Sequence, residues 1–215
     1  NVDLSTGGLA TVISDAQGNT TFGAAGDDRE NTLTGDDQEN IFDLGSDSAN
    51  EDTVVYLATD ATGIDDEGGA GEEILNFVDG TDTIQFAEGL LTASDGSDVA
   101  TGSFDVQETA SGGNFSGSVA DSASSPVIQI SDEGGGFDAA SAASSADVAG
   151  LLTGTVNSDM EVIFAVDDTN NDSYLWHFDG DNGGASDATV DADELTLIGV
   201  VDGVNNLSGT GNFDI

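Results

Sequence analysis

Residues 26–43 contain two copies of a nine-residue unit, G-D-D-R-E-N-T-L-T followed by G-D-D-Q-E-N-I-F-D. The copies agree at the Gly, the Asp pair, the Glu-Asn pair and the apolar eighth position. Oxygen donors dominate both: Asp27, Asp28 and Asn31 in the first, Asp36, Asp37 and Asn40 in the second. Carboxylate, carboxamide and carbonyl oxygens are what a hard divalent cation takes, and calcium collects about six to eight of them. A unit with Gly first, Asn sixth and an apolar residue eighth can wind as a parallel β-roll. Leu33 and Phe42 then point inward, while turn oxygens of successive coils enclose the ion. The plainer alternative is a pair of Asx-type turns joining ordinary strands.

Two further acidic stretches have the composition of cation loops. In E-I-L-N-F-V-D-G-T-D-T-I-Q-F, residues 73–86, Asp79 and Asp82 flank Gly80 in a tight turn between two strand-like runs. An Asp-Gly hairpin is the structural alternative, because that dipeptide marks hairpins whatever their function. In residues 179–194, Asp179, Asp181 and Gly184 imitate the first, third and sixth positions of an EF-hand loop. With four residues inserted, Val190, Asp191 and Glu194 imitate the eighth, ninth and twelfth. Such a loop, flanked by strands in place of helices, can set Asp179, Asp181 and Glu194 around one calcium with Glu194 bidentate, or it can be a solvated acidic loop.

Catalytic chemistry finds little material. His177 is the only histidine, and the alternation of its strand turns it away from Trp176 and Phe178, beside Leu175. A general base needs a reacting partner and an orienting group, and neither is apparent. With no Lys and no Cys, Schiff-base and thiolate chemistry are excluded. A two-carboxylate glycosidase has ample acids to draw on, yet nothing singles out a pair. The expectation is a protein that is not an enzyme.

The whole composition sets the counter-species. Among 215 residues there are 43 Asp and Glu against one basic residue, Arg29, for a formal net charge of −42. One cation cannot neutralise a row of phosphates, which argues against nucleic acid and anionic membranes as partners and in favour of divalent cations. No apolar run reaches the length of a transmembrane helix. The absence of cysteine beside such acidity suits an extracellular or cell-surface setting.

High charge with modest hydrophobicity usually reads as disorder, but here the apolar residues cluster into short runs bounded by Gly, Asp, Asn and Ser. Strands are expected at 9–13, 19–22, 53–58, 74–77, 83–86, 126–130, 160–166, 173–178 and 195–201. Met160, Val162, Phe164 and Val166 alternate on one face, as do Tyr174, Trp176 and Phe178, with a hairpin loop over 167–172 between them. Ala140, Ser144, Val148 and Leu151 follow helical spacing and predict one short helix near 138–152. Residues 93–125 read as twisted edge strands or long loops. The fold class is therefore mostly β: a β-sandwich or β-roll-like domain with acidic calcium-binding loops and one short helix. Residues 1–92 form an amino-terminal β region and 93–215 a second β region carrying the helix, or the two are one continuous domain.

The tandem unit resembles the repeats-in-toxin (RTX) family of secreted bacterial calcium-binding proteins, whose repeat is G-G-x-G-x-D-x-U-x. The likeness covers about eighteen residues; Arg29 and Gln38 stand at the family's fourth-position Gly, and Asn31 and Asn40 at its Asp. Residues 73–86 are similar to the D-x-I-x-x-F-x-x-G-x-D-x-I-x-F segment that closes such blocks. The C-terminal N-F-D-I resembles the export signal of type I secretion substrates, or is simply the last half-strand of a sheet. The stretch from Ser173 through 204 is similar to terminal modules of RTX-like surface proteins. The resemblance implies a secreted, calcium-ordered structural protein of an extracellular filament, surface layer or biofilm matrix. The alternative is an adhesin or carbohydrate-binding module that meets cell-surface glycans. Self-association is expected, and the amino terminus suggests one route: Val2 and Leu4 share a face ahead of the Gly7-Gly8 pivot, so the segment can be donated to the edge of another copy's sheet. The alternative is a first strand paired within its own chain.

Overall fold

A computed structural model describes residues 11–14, 20–23, 30, 32–34, 40–45, 51–56, 72–87, 90–91, 107–109, 127–130, 138–152, 161–180, 190–204, 207 and 211–214. The chain is mostly β. Its strands are β1 (Thr11–Ser14), β2 (Thr20–Gly23), β3 (Thr32–Thr34), β4 (Asn40–Asp43), β5 (Thr53–Tyr56), β6 (Glu72–Leu75) and β7 (Thr83–Phe86) in the first half. They continue as β8 (Gln107–Thr109), β9 (Val127–Ile130), β10 (Glu161–Asp167), β11 (Ser173–Asp179), β12 (Leu195–Val201) and β13 (Phe213–Asp214). Among the described residues these make a nine-stranded sheet, ordered β1-β2-β4-β6-β12-β11-β10-β9-β8, and a four-stranded sheet, β13-β7-β5-β3.

From β2 to β7 the chain alternates strictly between the two sheets, and each strand lies parallel to the next one in its own sheet. Short strands with one apolar face dictate this. Leu33 and Phe42, nine residues apart in the tandem repeat, fall on strands of opposite sheets and are 2% and 1% exposed within one core. They are joined there by Val54, Ile74, Ile84 and Phe86. Four parallel coils stack in this way: β2 with β3, β4 with β5, β6 with β7, and lastly β12 with β13. The fourth coil is supplied from the end of the chain, so residues 87–194 form an insertion between the third coil and the fourth.

The insertion widens the larger sheet. β11 pairs antiparallel with both β12 and β10, the latter from Glu161↔Asp179 to Asp167↔Ser173, as the expected hairpin requires. Its alternation fills two cores. Ile163, Ala165 and Leu175 face the four-stranded sheet, whereas Phe164, Val166, Tyr174, Trp176 and Phe178 face two short helices. The first core also draws Val201, Leu207 and Phe213 from the C-terminal region, so it spans both sides of residue 92.

The nine runs read as strands all overlap strands, and three of the elements that escaped that pattern, β3, β8 and β13, are only two or three residues long. The helical region is corrected in detail. It forms two helices, α1 (Ala139–Ala142) and α2 (Ser145–Leu151). Asp138 caps the first, and Ser144 caps the second by accepting from the Asp147 amide. The restart at Ser144 rephases the apolar stripe, so Ala142, Val148 and Leu152 are buried while Ala140 is exposed. Trp176 fastens α1 by donating its Nε1–H to the Ala142 carbonyl at 2.9 Å. For residues 73–86 it is the hairpin alternative that falls. β6 and β7 lie in different sheets and do not pair, so the Asp79-Gly80 turn is an arch between layers and not a hairpin. Among the described residues no helix is long and apolar enough to cross a membrane.

Candidate functional site

The polar chemistry of the described residues gathers where the connections after β4, β6 and β12 meet. After β6, Asn76 takes a left-handed conformation (φ 61°) and donates its amide to Asp43 Oδ1 at 2.7 Å, which also accepts from the Gly45 amide. Beyond it, the amides of Thr81 and Asp82 both donate to the Val78 carbonyl, and Gly80 (φ 74°) supplies the left-handed step that side chains disfavour. This tight turn delivers Asp82 to the interior, 1% exposed. Its Oδ1 accepts from the Asp52 amide at 3.0 Å and its Oδ2 from the Val78 amide at 2.7 Å. Burial pushes the Asp82 carboxyl upward, against the lowering effect of those two amides.

The last coil closes on the same turn. Asn212, fully buried, accepts from the Gly80 amide at 2.7 Å and donates to Asp79 Oδ1 at 2.6 Å. The Ile84 amide donates to the Asn212 carbonyl at 2.7 Å, and the Thr83 hydroxyl to the Gly211 carbonyl at 2.8 Å. Asp79 and Asp82 are thus brought to one turn, as the sequence suggested, and there Asp79 holds the C-terminal strand while Asp82 holds two backbone amides.

A second network, which the sequence did not reveal, lies at the β10–β11 loop. Asp167, 3% exposed, accepts from Gln129 Nε2 and from the Ser173 hydroxyl, each at 2.6 Å. Gln129 Oε1 in turn accepts from the Leu207 amide. Asp168 closes the loop by accepting from the amides of Asn170 and Asp172. Asp172 accepts from the Gly203 amide, and its carboxyl is raised by burial first, with Asp168 and Asp202 adding like charge. The signal that could have located this loop is the Asp-Asp-x-Asn-Asn-Asp composition, which supplies Asx acceptors at each turn position.

The third acidic stretch is only partly described. Asp179 ends β11, and the Phe178↔Leu195 register sets it across from Glu194. Glu194, 5% exposed, accepts from the Asp191 amide through Oε2 in a capping box that begins a 3-10 turn, Ala192–Glu194. Asp191 is exposed, and Asp181 lies outside the described residues. Nearby, His177 has a buried Nε2 without a hydrogen-bond partner. Burial holds its imidazole below the ordinary value, and Asp179 pulls the other way.

The tandem repeat contributes Asn40, 1% exposed at the start of β4. Asp27, Asp28, Asn31, Asp36 and Asp37 lie outside the described residues. Among the described residues, no group of three or more His, Asp or Glu side chains is arranged to hold a metal ion. The described part of the acidic set (Asn40, Asp79, Asp82, Asp179, Asp191 and Glu194) therefore does not compose a calcium shell by itself. No protein family, known protein or solved structure matches this chain.

Proposed function

We propose that the protein is a secreted, calcium-ordered structural protein that self-associates in an extracellular filament, surface layer or biofilm matrix. The observation that carries this reading is the parallel two-sheet coil, in which the apolar residues of the tandem nonapeptide, Leu33 and Phe42, turn inward from opposite sheets. That is the winding a calcium-binding nonapeptide requires. The charge supplies the motive. At −42 with one cation, self-repulsion opposes both the compact state and the approach of a second copy. Divalent ions relieve both. The ion-holding residues in this reading are those of the repeat, Asp27, Asp28, Asn31, Asp36, Asp37 and Asn40, with Asp179, Asp181 and Asp191 in supporting positions.

Thermal unfolding in calcium against a chelator at moderate ionic strength tests the first half. A ligand bound only by the native state adds about 2.7 kcal/mol at a hundredfold excess over its Kd. For a chain of this size that raises Tm by roughly 5–11 °C. An unchanged midpoint refutes calcium ordering. Calorimetry of Asn31→Ala with Asn40→Ala should show fewer bound ions, whereas Glu30→Ala with Glu39→Ala should not. Negative-stain microscopy with and without millimolar calcium tests assembly, and single particles in both conditions would count against it.

A further inference from the structure

The loop between β10 and β11 meets the turn after β12 at a pair of carboxyl groups. The β11–β12 register ends on Ser173↔Val201, which sets Asp172 and Asp202 opposite each other one step beyond the strands, where like charges oppose pairing. They are nonetheless in contact. The two carboxyls lie within hydrogen-bonding range of each other, and Asp172 also accepts from the Gly203 amide at 2.8 Å. The backbone holds them there: the Asp172 amide donates to Asp168 Oδ1 at 2.9 Å, its carbonyl accepts from the Asp168 amide at 2.9 Å, and the Ser173 hydroxyl reaches the Val204 carbonyl at 2.8 Å. Two ionised carboxylates are acceptors only and cannot bond to each other, whereas one proton between them makes a short, charge-assisted hydrogen bond. Among the described residues the other titratable groups facing the pair are Asp168 on the loop and Tyr174 on β11, and neither brings positive charge.

We propose that Asp172 and Asp202 form an acid-closed clasp: a shared proton ties the β10–β11 loop to the turn after β12, and its loss leaves two like charges in contact that loosen the tie. The clasp joins the insertion to the fourth coil, since Asp172 belongs to the inserted residues and Asp202 leads out of β12. Burial first, opposed by the Gly203 amide, and then the charges of Asp168 and Asp202 hold the Asp172 carboxyl above its ordinary value. The folded chain therefore takes up the proton before the unfolded chain does. The stabilisation is complete below the unfolded carboxylate value of about 4 and is lost as pH rises through the folded value. The inference goes beyond the proposed function, since the clasp needs neither a metal nor a second copy.

Asp202→Asn is the decisive variant, because its carboxamide N–H supplies Asp172 with a hydrogen at every pH. The Tm values of wild type and variant are compared in chelator from about pH 8 to about pH 4. The variant should exceed wild type by up to about 2–4 °C at the alkaline end, and the gap should close on acidification as the wild-type pair takes its proton. Glu73→Gln removes the same charge from an exposed carboxylate on β6; its gain should be smaller and should vanish in ~1 M salt, where screening acts beyond about 3 Å. Adding Asp172→Asn to Asp202→Asn should gain less than Asp172→Asn gains alone. Carboxyl-carbon NMR of the wild type should show Asp172 titrating above the ordinary carboxylate range, and lower in Asp202→Asn. A gap that does not change with pH, gains that simply add, or an Asp172 carboxyl that titrates in the ordinary range overturns the clasp. Because chelator is present throughout, such a failure is distinct from a failure of calcium ordering.

Discussion

Gly199 is the point at which the parallel coil meets the antiparallel part of the larger sheet, and substituting it should change sign with its neighbour. The β11–β12 register shifts between Leu175 and Trp176, so Ile198 is the extra residue of a bulge and Gly199 follows it. Tyr56, from the opposite sheet, seats its hydroxyl there and donates to the Ile198 carbonyl at 3.4 Å. Burial, and secondarily Glu72, hold the phenol well above its ordinary pKa, so it remains a donor at neutral pH. A Cβ on Gly199 would lie 2.5 Å from the Tyr56 hydroxyl oxygen, 3.3 Å from the Glu72 carbonyl and 3.7 Å from the ring carbon. The ring cannot easily retreat, because it stacks on Phe86 at 5.3 Å. Gly199→Ala should therefore cost about 1–3 kcal/mol, the range for overpacking a filled core. Tyr56→Phe alone loses one long hydrogen bond, about 0.5–1.5 kcal/mol. In the Tyr56→Phe background the closest atom is gone, and Ala regains about 0.4–1 kcal/mol by restricting the unfolded chain. The coupling in the double-mutant cycle should thus be about 1.4–4 kcal/mol. Thermal or urea unfolding of the four proteins measures it, at about 2–4 °C per kcal/mol for a chain of this length. Equal destabilisation by Gly199→Ala in both backgrounds would refute the contact.

Three further outcomes are expected. Asp82→Asn should lower stability by about 1–3 kcal/mol, because the carboxamide offers one acceptor where the Asp52 and Val78 amides need two; the loss should be the same in chelator and in calcium, and a loss seen only with calcium would make Asp82 an ion ligand. Asn212→Asp should destabilise more than Asn212→Ala at neutral pH, since it sets a buried carboxylate against Asp79, and the gap should narrow on acidification as measured by Tm. His177 should lower stability as pH falls. Its folded pKa is depressed, chiefly by burial, so the unfolded chain takes the proton first. The contribution is intact above the unfolded value of about 6.5 and is lost as pH falls from there toward the folded value. The difference in Tm between wild type and His177→Gln, scanned from pH 8 to 5, should therefore drift in favour of the variant, and a flat difference removes His177 as a titrating group.

Strand content and the β10–β11 hairpin were legible because burial on both faces demands short, nearly continuous apolar runs, which 162–166 and 174–178 supply on either side of an Asp/Asn-rich loop. The inward positions of Leu33 and Phe42 were legible through the repeat. The arch at 76–82 was not. Asp-Gly fits a hairpin and an arch equally well, and the choice falls to the partners of β6 and β7 in separate sheets, a long-range matter. The helix phase failed at one residue, since Ser144 can continue a stripe or cap a new helix, and it caps. Asn212 was missed because a carboxamide in Gly-rich surroundings looks like a loop residue, and Gln129 because a single polar side chain in the 126–130 strand reads as a solvent-facing position. What makes them central is burial created by strands distant in sequence. On the amino-terminal question, Thr11–Ser14 pairs with β2 of its own chain, while residues 1–6 lie outside the described residues.

The acids divide by partner, and that division bears on how so anionic a chain folds. With one cation in the sequence, buried carboxylates must find neutral donors or remain protonated. Asp82, Asp168, Asp172 and Glu194 find backbone amides, and Asp167 finds a carboxamide and a hydroxyl. Each converts a charge into the closure of a particular turn, so these residues pin the arch, the β10–β11 loop and the entry to β12 without any counter-ion. Glu30, Glu73, Asp147, Asp193 and Asp202, by contrast, are exposed. They add to the repulsion, and of the five only Asp202 has a carboxylate partner among the described residues, Asp172. Monovalent salt screens them beyond about 10 Å at 0.1 M, whereas an ion held in the tandem repeat would act at close range and at fixed stoichiometry. The amide-bound carboxylates thus account for the local shape of the coil edge, and the exposed ones set the charge that any assembly of copies has to overcome.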